Sequence, residues 1–520
     1  MSVTPLPAFR NEPYADFARP ENLRAMEAAL AGARAACGRA YPLRIAGRPV
    51  LAGAWVRSVN PSQPAVVVGL QSRATPVLAA EAIADAAAFF PEWARTPVED
   101  RAAIVLRAAA LLRARKYEFN AWLVLEAGKS WAEAEAETAE AIDFCEYYAR
   151  QILRWATPEP LLQLPGERNE LTYLPLGVGV VIPPWNFPLA ILAGMTVAAL
   201  VCGNTVVLKP SSETPVIAAQ FVELLAEAGL PPRALALCAG SGGEIGDLLV
   251  THPLTRFVNF TGSRDVGLHI NELAARPALG LKWVRRVVAE MGGKDAIVVD
   301  ADCDLDAAVA GVVASAFGYQ GQKCSACSRA IVHGGVYEEF VRRLEPAVGA
   351  LSVGDAANPS FAVGPVISAA ARRGILAYLE IGRGEGRLLT GGGAAPGDGY
   401  FLQPTVFTGV APTARLFQEE IFGPVLAVTP AEDFAHALAL ANDSDYGLTG
   451  AVYSHVPAHL EHARRDFHVG NLYLNRKCTG AMVGAHPFGG FNLSGTDAKA
   501  GGPDYLLQFL QAKSIATKLS

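Results

Sequence analysis

The sequence predicts an α/β protein built mainly on a doubly wound parallel sheet, and three observations carry that prediction. From Thr172 onward the hydrophobic period changes from helical spacing to short apolar runs rich in Val, Ile and Leu. Those runs alternate with helical segments that open on capping residues, the pattern of strand–helix–strand units. The runs are apolar at nearly every position rather than every second one, as strands covered on both faces require. A chain of 520 residues is too long for one ordinary core, so two or three domains are expected.

Ahead of the change, residues 79–155 read as helical. "EDRAAIVLRAAALLRARKYEFNAWLVLEAG" and "ETAEAIDFCEYYARQILRW" repeat apolar residues at three- and four-residue spacing between charges. The strand candidates follow as "VGVVI" (178–182), "TVVLKP" (205–210), "ALALCAG" (234–240), "FVNFTG" (257–262), "VRRVVAE" (284–290) and "AIVVD" (296–300). Between them lie "SSETPVIAAQFVELLAEAG" and "SGGEIGDLLV", read as capped helices. A sheet of this kind is the usual frame for a dinucleotide site. A second alternating block spans about 302–469, with "DAAVAGVVASAFGYQG" and "VYEEFVRRLEPAVGAL" as helices and "RAIVHG" and "VLAVTP" as strands. The tail "PDYLLQFLQAKSIATKLS" is expected to form an exposed β-arm or terminal helix available to another subunit.

The net charge of -6 leaves no excess of Lys and Arg for a nucleic-acid or anionic-membrane partner. The start, "MSVTPLPAFRNEPYADF", has neither the basic nor the apolar region of a signal peptide. The charge-free stretch 174–208 is broken by Pro183, Pro184, Asn186, Pro188, Gly203 and Asn204, so it reads as buried strand, loop and helix rather than a membrane span. Eight scattered cysteines, most inside apolar segments, fit reduced thiols in a cytoplasmic protein.

"GQKCSAC" (321–327) is the first stretch with chemistry to consider. Cys324 and Cys327 lack the further ligands that a zinc site needs. A buried structural thiol is the ordinary reading of any single cysteine. The loop-like "YQGQKCSA" and the cation at Lys323 favour a partly exposed, thiolate-prone Cys324 instead. "PPWNFP" (183–188) follows the first strand of the sheet; its Asn186 is either a turn former or a donor aimed at a developing oxyanion. In "VVAEMGGKDA", Glu290 ends an apolar strand, either paired with a lysine or held as a general base. Lys209, in "LKPSSETP", is a surface lysine or a ribose or phosphate contact. "GSGGEIG" (240–246) is a weak glycine pattern, whereas "FTGSRDVG" (260–267) offers a strand, a Gly-Ser turn and a helix start. "QEEIFGPVL" places adjacent acids before a Phe-Gly-Pro turn.

Together "PWNFP", "KPS", "FTGS", "E-x-GGK", "GQ-x-C", "EEIFGP" and "PFGG…SG", in this order over residues 184–495, resemble the aldehyde dehydrogenase family. The resemblance implies a Rossmann-type NAD-binding domain, an α/β catalytic domain and a small β oligomerisation arm. The divisions expected are 1–160 with 177–290 for NAD, 291–485 for catalysis, and 161–176 with 486–520 for the arm. It implies Cys324 as the nucleophile, Asn186 with the Cys324 N–H as oxyanion donors, and Glu290 as the base that activates water. Lys209 would contact the adenosine ribose, Ser263 the pyrophosphate, and Glu420 with Phe422 the nicotinamide riboside. Ile182, Pro184, Trp185 and Ser212 would complete the cofactor contacts, with Gly246, Phe260 and Gly262. Ser212 stands where many NAD-preferring members carry glutamate, which implies NAD use with NADP tolerated.

"AFRNEP", "AIDFCEYYAR", "GQKCSA" and "NRKCTGAMVGAHPFGGFNLSGT" are most similar to the stand-alone branch of the family that oxidises glutamate γ-semialdehyde in proline catabolism. For that substrate the resemblance implies Ser325, Gly480 and Ala481 as the carboxylate anchor, with Phe187 and Phe488 flanking the stem and Lys323 beside the nucleophile. Glu140 is a weaker candidate for the ammonium, its helix reading first as a solvated face. A succinate semialdehyde enzyme would call for an arginine-rich anchor, and a catalytically silent homologue would have lost Cys324, Glu290 or Asn186. No metal is expected, and the partners expected are a small-molecule amino-acid semialdehyde and a second copy of the chain, as a homodimer or higher homo-oligomer.

Overall fold

The structure, a computed structural model, describes residues 6–157 and 161–519. Residues 1–5 of the opening stretch and 158–160 at the end of the first expected division lie outside it. The helical stretch forms Pro76–Arg95, Val98–Ala114, Lys116–Ala127 and Trp131–Ala156. The last opens on Ser130, whose side chain accepts the Glu133 N–H, and buries Ala134, Thr138, Ala141, Cys145, Tyr148 and Ile152 along one face. That face packs on Val98–Ala114 and Ala190–Val201 in the largest apolar cluster.

The first large sheet runs in the order Arg286–Glu290, Thr255–Thr261, Val178–Ile182, Thr205–Leu208, Leu235–Leu237, then the hairpin Leu43–Ile45 and Arg48–Val50. Its first five strands are parallel. Val178–Ile182 comes first of the five in the chain; the next two strands lie on one side of it and the following two on the other. The crossovers therefore leave by opposite faces and open a crevice at the carboxyl ends of Val178–Ile182 and Thr255–Thr261. Gly179 lets these neighbours close up, since a Cβ there would lie 2.1 Å from the Phe257 ring.

The second large sheet has the order Arg387–Thr390, Thr405–Thr408, Val425–Ala431, Cys327–His333, Asp295–Val299, Thr449–Tyr453 and Asn471–Leu474, parallel except at the Arg387–Thr390 edge. The chain passes between the sheets in a short span, from Glu290 at the end of one strand to Asp295 at the start of the next. Two glycines make the close approach possible: a Cβ on Gly292 would sit 2.2 Å from Glu420 Oε2, and one on Gly293 2.4 Å from the Cys324 carbonyl.

The tail resolves as strand rather than helix, Leu510–Lys518 pairing antiparallel with Glu167–Pro175. Residues 488–500, expected with the arm, instead fold back over Glu290 through the bridges Glu290–Gly495 and Phe488–Ala500, because their main chain supplies hydrogen bonds there. Among the described residues no helix is long and apolar enough to cross a membrane. All eight cysteines are free, and five of them are buried.

Candidate active site

Helix Leu305–Phe317 ends in a turn that places Tyr319, Gln320 and Gly321 in the left-handed region, at φ +48°, +57° and +68°. Two of the three carry side chains that disfavour it, so the surroundings must hold the turn. Tyr319 Oη donates to Ala127 O at 2.8 Å, and Gln320 Nε2 donates to Gly128 O at 3.1 Å and Pro365 O at 2.7 Å. Gln322 Oε1 accepts the Ile367 N–H at 2.9 Å. This fixed turn presents Cys324 to a cavity, and Cys327 then enters the sheet as a packed thiol.

Asn186 comes from the loop after Val178–Ile182 and is buried. Its Nδ2 donates to Gln322 O at 2.9 Å, which uses one of the two amide hydrogens, and Asn186 ties the nucleophile loop without being among the residues that line the cavity. Glu290 lines the same cavity as Cys324. Its Oε2 accepts the Gly490 N–H at 3.2 Å, while its buried Oε1 has no partner among the described residues. Burial holds this carboxyl well above its usual range.

The expected role of Lys323 in acidifying the thiol is corrected. Its ammonium turns to Glu133 Oε1, 2.8 Å away. Cys324 is pushed up from the ordinary thiol value, by burial first and then by Asp295, Glu420 and Glu290. Burial is the larger cause, and the ammonium next along the chain is spent on Glu133.

The cavity holds about 390 Å³, and Ser325, Gly480, Ala481, Phe187, Phe488 and Lys323 all line it with Cys324 and Glu290. Gly480 has φ +80°, a conformation suited to pointing successive main-chain N–H groups one way. Among the described residues no arginine lines it. Glu140 faces the cavity, which corrects the solvated-face reading, and burial followed by Glu137 raises it to about 8.

A buried pair escaped the sequence reading. Lys129 Nζ lies 2.9 Å from Glu137 Oε2, between the rings of Phe187 at 4.0 Å and Tyr319 at 3.8 Å. Glu137 Oε1 also accepts the N–H groups of Leu189 and Ala190 at 2.8 and 3.1 Å, where the next helix begins. The signal available was the spacing of Glu133, Glu137 and Glu140, which puts three carboxylates on one helix face.

The expected cofactor residues gather at the carboxyl ends of four neighbouring parallel strands. Ile182 ends one, Pro184 and Trp185 follow it, and Lys209 with Ser212 follows Thr205–Leu208. Gly246 closes the turn Gly242–Gly246 after Leu235–Leu237, and Phe260, Gly262 and Ser263 end Thr255–Thr261 and open Arg264–Ala275. From the second sheet, Phe422 meets Trp185 edge to face at 5.4 Å, and Glu420 Oε1 accepts the Gly293 N–H at 3.0 Å. Burial raises Glu420 to about 7.

These residues fit a dinucleotide. Lys209 is buried, and among the described residues no carboxylate pairs with it. Ser263 is exposed and starts its helix without a side-chain cap bond, an end whose first N–H groups suit a phosphate. Added Cβ atoms at Gly242 and Gly246 would meet nothing, leaving room over that turn. Ser212 and Glu213 are both exposed. No acid, histidine and cysteine cluster suited to a metal occurs among the described residues.

The profile of the aldehyde dehydrogenase family matches residues 52–515. The chain is 56% identical over 508 residues to 1-pyrroline-5-carboxylate dehydrogenase of Geobacillus thermodenitrificans (strain NG80-2), spanning 98% of this chain and 99% of that one. Crystalline 1-pyrroline-5-carboxylate dehydrogenase from Thermus with bound NAD matches all of both chains at 52% identity and a TM-score of 0.97. Proline utilization A from Bdellovibrio bacteriovorus matches 99% of this chain but 54% of its own, at 43% identity and a TM-score of 0.97.

Proposed function

The chain belongs to the aldehyde dehydrogenase family, and from that premise we propose that it oxidises L-glutamate γ-semialdehyde, the open form of 1-pyrroline-5-carboxylate, to L-glutamate with NAD. The observation that carries the reading is one cavity lined by Cys324, Glu290 and the Thr479–Gly480–Ala481 turn. Its anchor end offers main-chain N–H groups and the Ser325 hydroxyl, with no arginine among the described residues that line it.

Cys324 gives its thiol proton to solvent in the cavity, and the Sγ thiolate attacks the aldehyde carbon to form a thiohemiacetal oxyanion. The remaining Asn186 N–H and the Cys324 main-chain N–H stabilise the oxyanion. NAD, when bound, accepts the hydride leaving that carbon, which turns the thiohemiacetal into a thioester. Glu290 then takes a proton from water through its free Oε1; the water adds to the thioester, and the Cys324 sulfur leaves. Lys209, Ser263, Glu420 and Phe422 hold the cofactor across the crevice. The Gly480 and Ala481 N–H groups with Ser325 hold the α-carboxylate, and Phe187 and Phe488 flank the stem. Ser212 puts no charge where a 2′-phosphate would come, so NADP supports measurable turnover.

Residues 1–160 and 177–290 serve the dinucleotide and 291–485 the thiol chemistry. The arm joins at least two copies, supported by the exposure of Leu162, Leu164, Leu174 and Leu519 on and beside its strands. The free buried thiols are suited to the cytoplasm. Initial rates of NADH formation with glutamate semialdehyde against succinate semialdehyde test the substrate; preference for succinate semialdehyde overturns it.

A further inference from the structure

Glu290 sits beneath two glycine turns. A Cβ at Gly489 or Gly495 would come within 3.0 Å of its Oε1. The turn carrying Gly489 and Gly490 is pinned by Lys499, whose Nζ donates to Gly470 O at 2.7 Å and also to Gly489 O. The half-buried ammonium lies 5.2 Å from the Phe491 ring centroid. These partners are neutral, so the cation is not cancelled by a direct ion pair, and the anions that act on it are Glu290 and Asp497.

We infer that Lys499 is a positioning residue for the water-activating step: it holds the Gly489–Gly490 turn against the Glu290 carboxylate, and its charge sets the pH above which Glu290 can act as a base. The inference rests on the proposed role of Glu290.

The charged and titratable groups facing Glu290 come from three elements: Lys499 and Asp497 from 488–500, Cys324 from the nucleophile loop, and Tyr505 from the turn Tyr505–Phe509. Lys499 favours the ionised carboxylate and Asp497 opposes it. Removing the cation therefore moves the onset of turnover to higher pH, and neutralising Asp497 moves it lower. Asp497 has φ +62°, which asparagine also tolerates, so Asp497→Asn changes charge with little change of backbone preference.

The test follows NADH formed by the full chain from glutamate semialdehyde at saturating NAD, as first-turnover burst and steady-state kcat across pH. Lys499→Met is expected to move the acid limb of kcat up by about one pH unit, as loss of a nearby opposite charge does. Lys499→Arg keeps the limb near its wild-type position, and Asp497→Asn moves it down by a smaller amount. A purely structural lysine would lower kcat equally at every pH. Wild-type NADH formation with overlaying limbs in Lys499→Met and Asp497→Asn overturns the inference alone. Absence of NADH from the wild type overturns the proposed function and this inference with it. Should Lys499→Met not fold, Asp497→Asn decides: a limb that stays in place overturns the inference.

Discussion

Asn186 Nδ2 donates to the Gln322 carbonyl at 2.9 Å across 136 positions of sequence. The bond ties the loop after one sheet's central strand to the loop that presents Cys324 from the other sheet. One side chain therefore pins the nucleophile loop and, in the proposed mechanism, keeps its second N–H for the oxyanion.

Asn186→Ala removes both functions. The expected loss in kcat is about 10²–10³-fold, the usual cost of one oxyanion donor. Steady-state rates with glutamate semialdehyde check this, and a loss confined to KM would contradict the oxyanion role.

Glu290→Gln leaves the attack and the oxidation but removes the base for hydrolysis. The first-turnover burst of NADH should survive while steady-state turnover falls about 10²–10⁴-fold. Intact-mass measurement after mixing should then find the acyl group on Cys324.

Gly480→Ala has room for its methyl, whose nearest neighbour would be the Lys477 side chain at 3.4 Å, but not the backbone freedom for φ +80°. A left-handed alanine costs about 1–2 kcal/mol. The turn should shift, raising KM for glutamate semialdehyde about tenfold and leaving kcat for an uncharged aldehyde such as propanal unchanged.

Ser212→Glu places a carboxylate against the 2′-phosphate of NADP. Like charges brought together cost several kcal/mol, so NADP-linked kcat/KM should fall at least about tenfold while NAD-linked turnover persists. Paired initial rates with the two cofactors measure it.

Asp143 accepts from Asn11 Nδ2 at 2.8 Å and the Glu12 N–H at 2.7 Å, and burial raises its carboxyl to about 6. An acid raised in the folded state binds its proton more tightly there than when unfolded. Its stabilising contribution is full below about pH 4 and is lost as pH rises through about 6. Thermal midpoints from pH 4 to 8 should therefore fall less steeply in Asp143→Asn than in wild type over that window; identical slopes would count against this assignment.

Much of the site is legible in the chain because its parts are local. Each strand end carries its own short signal, as in "PPWNFP", "FTGSRDVG" and "VVAEMGGKDA", and the parallel sheet then brings those ends to one edge. Glu140 reads instead as part of a solvated helix face, and the Lys129–Glu137 pair goes unread, because periodicity says which residues share a face and not what covers it. Tyr319, nearly 200 positions from Lys129, and Leu189, 52 from Glu137, supply that cover.

Residue type and near-neighbour spacing carry the strand–helix alternation and the order of motifs, and it is the family resemblance of those motifs that singles out Cys324, Glu290 and Asn186. Only the tertiary structure decided the electrostatics. It turned Lys323 away to Glu133, set Asp295, Glu420 and Glu290 around a thiol that Lys323 had been expected to acidify, and drew Lys499 over the turn that covers Glu290. Charge acts through space and through the dielectric that burial creates, and both are set by contacts between residues far apart in the chain.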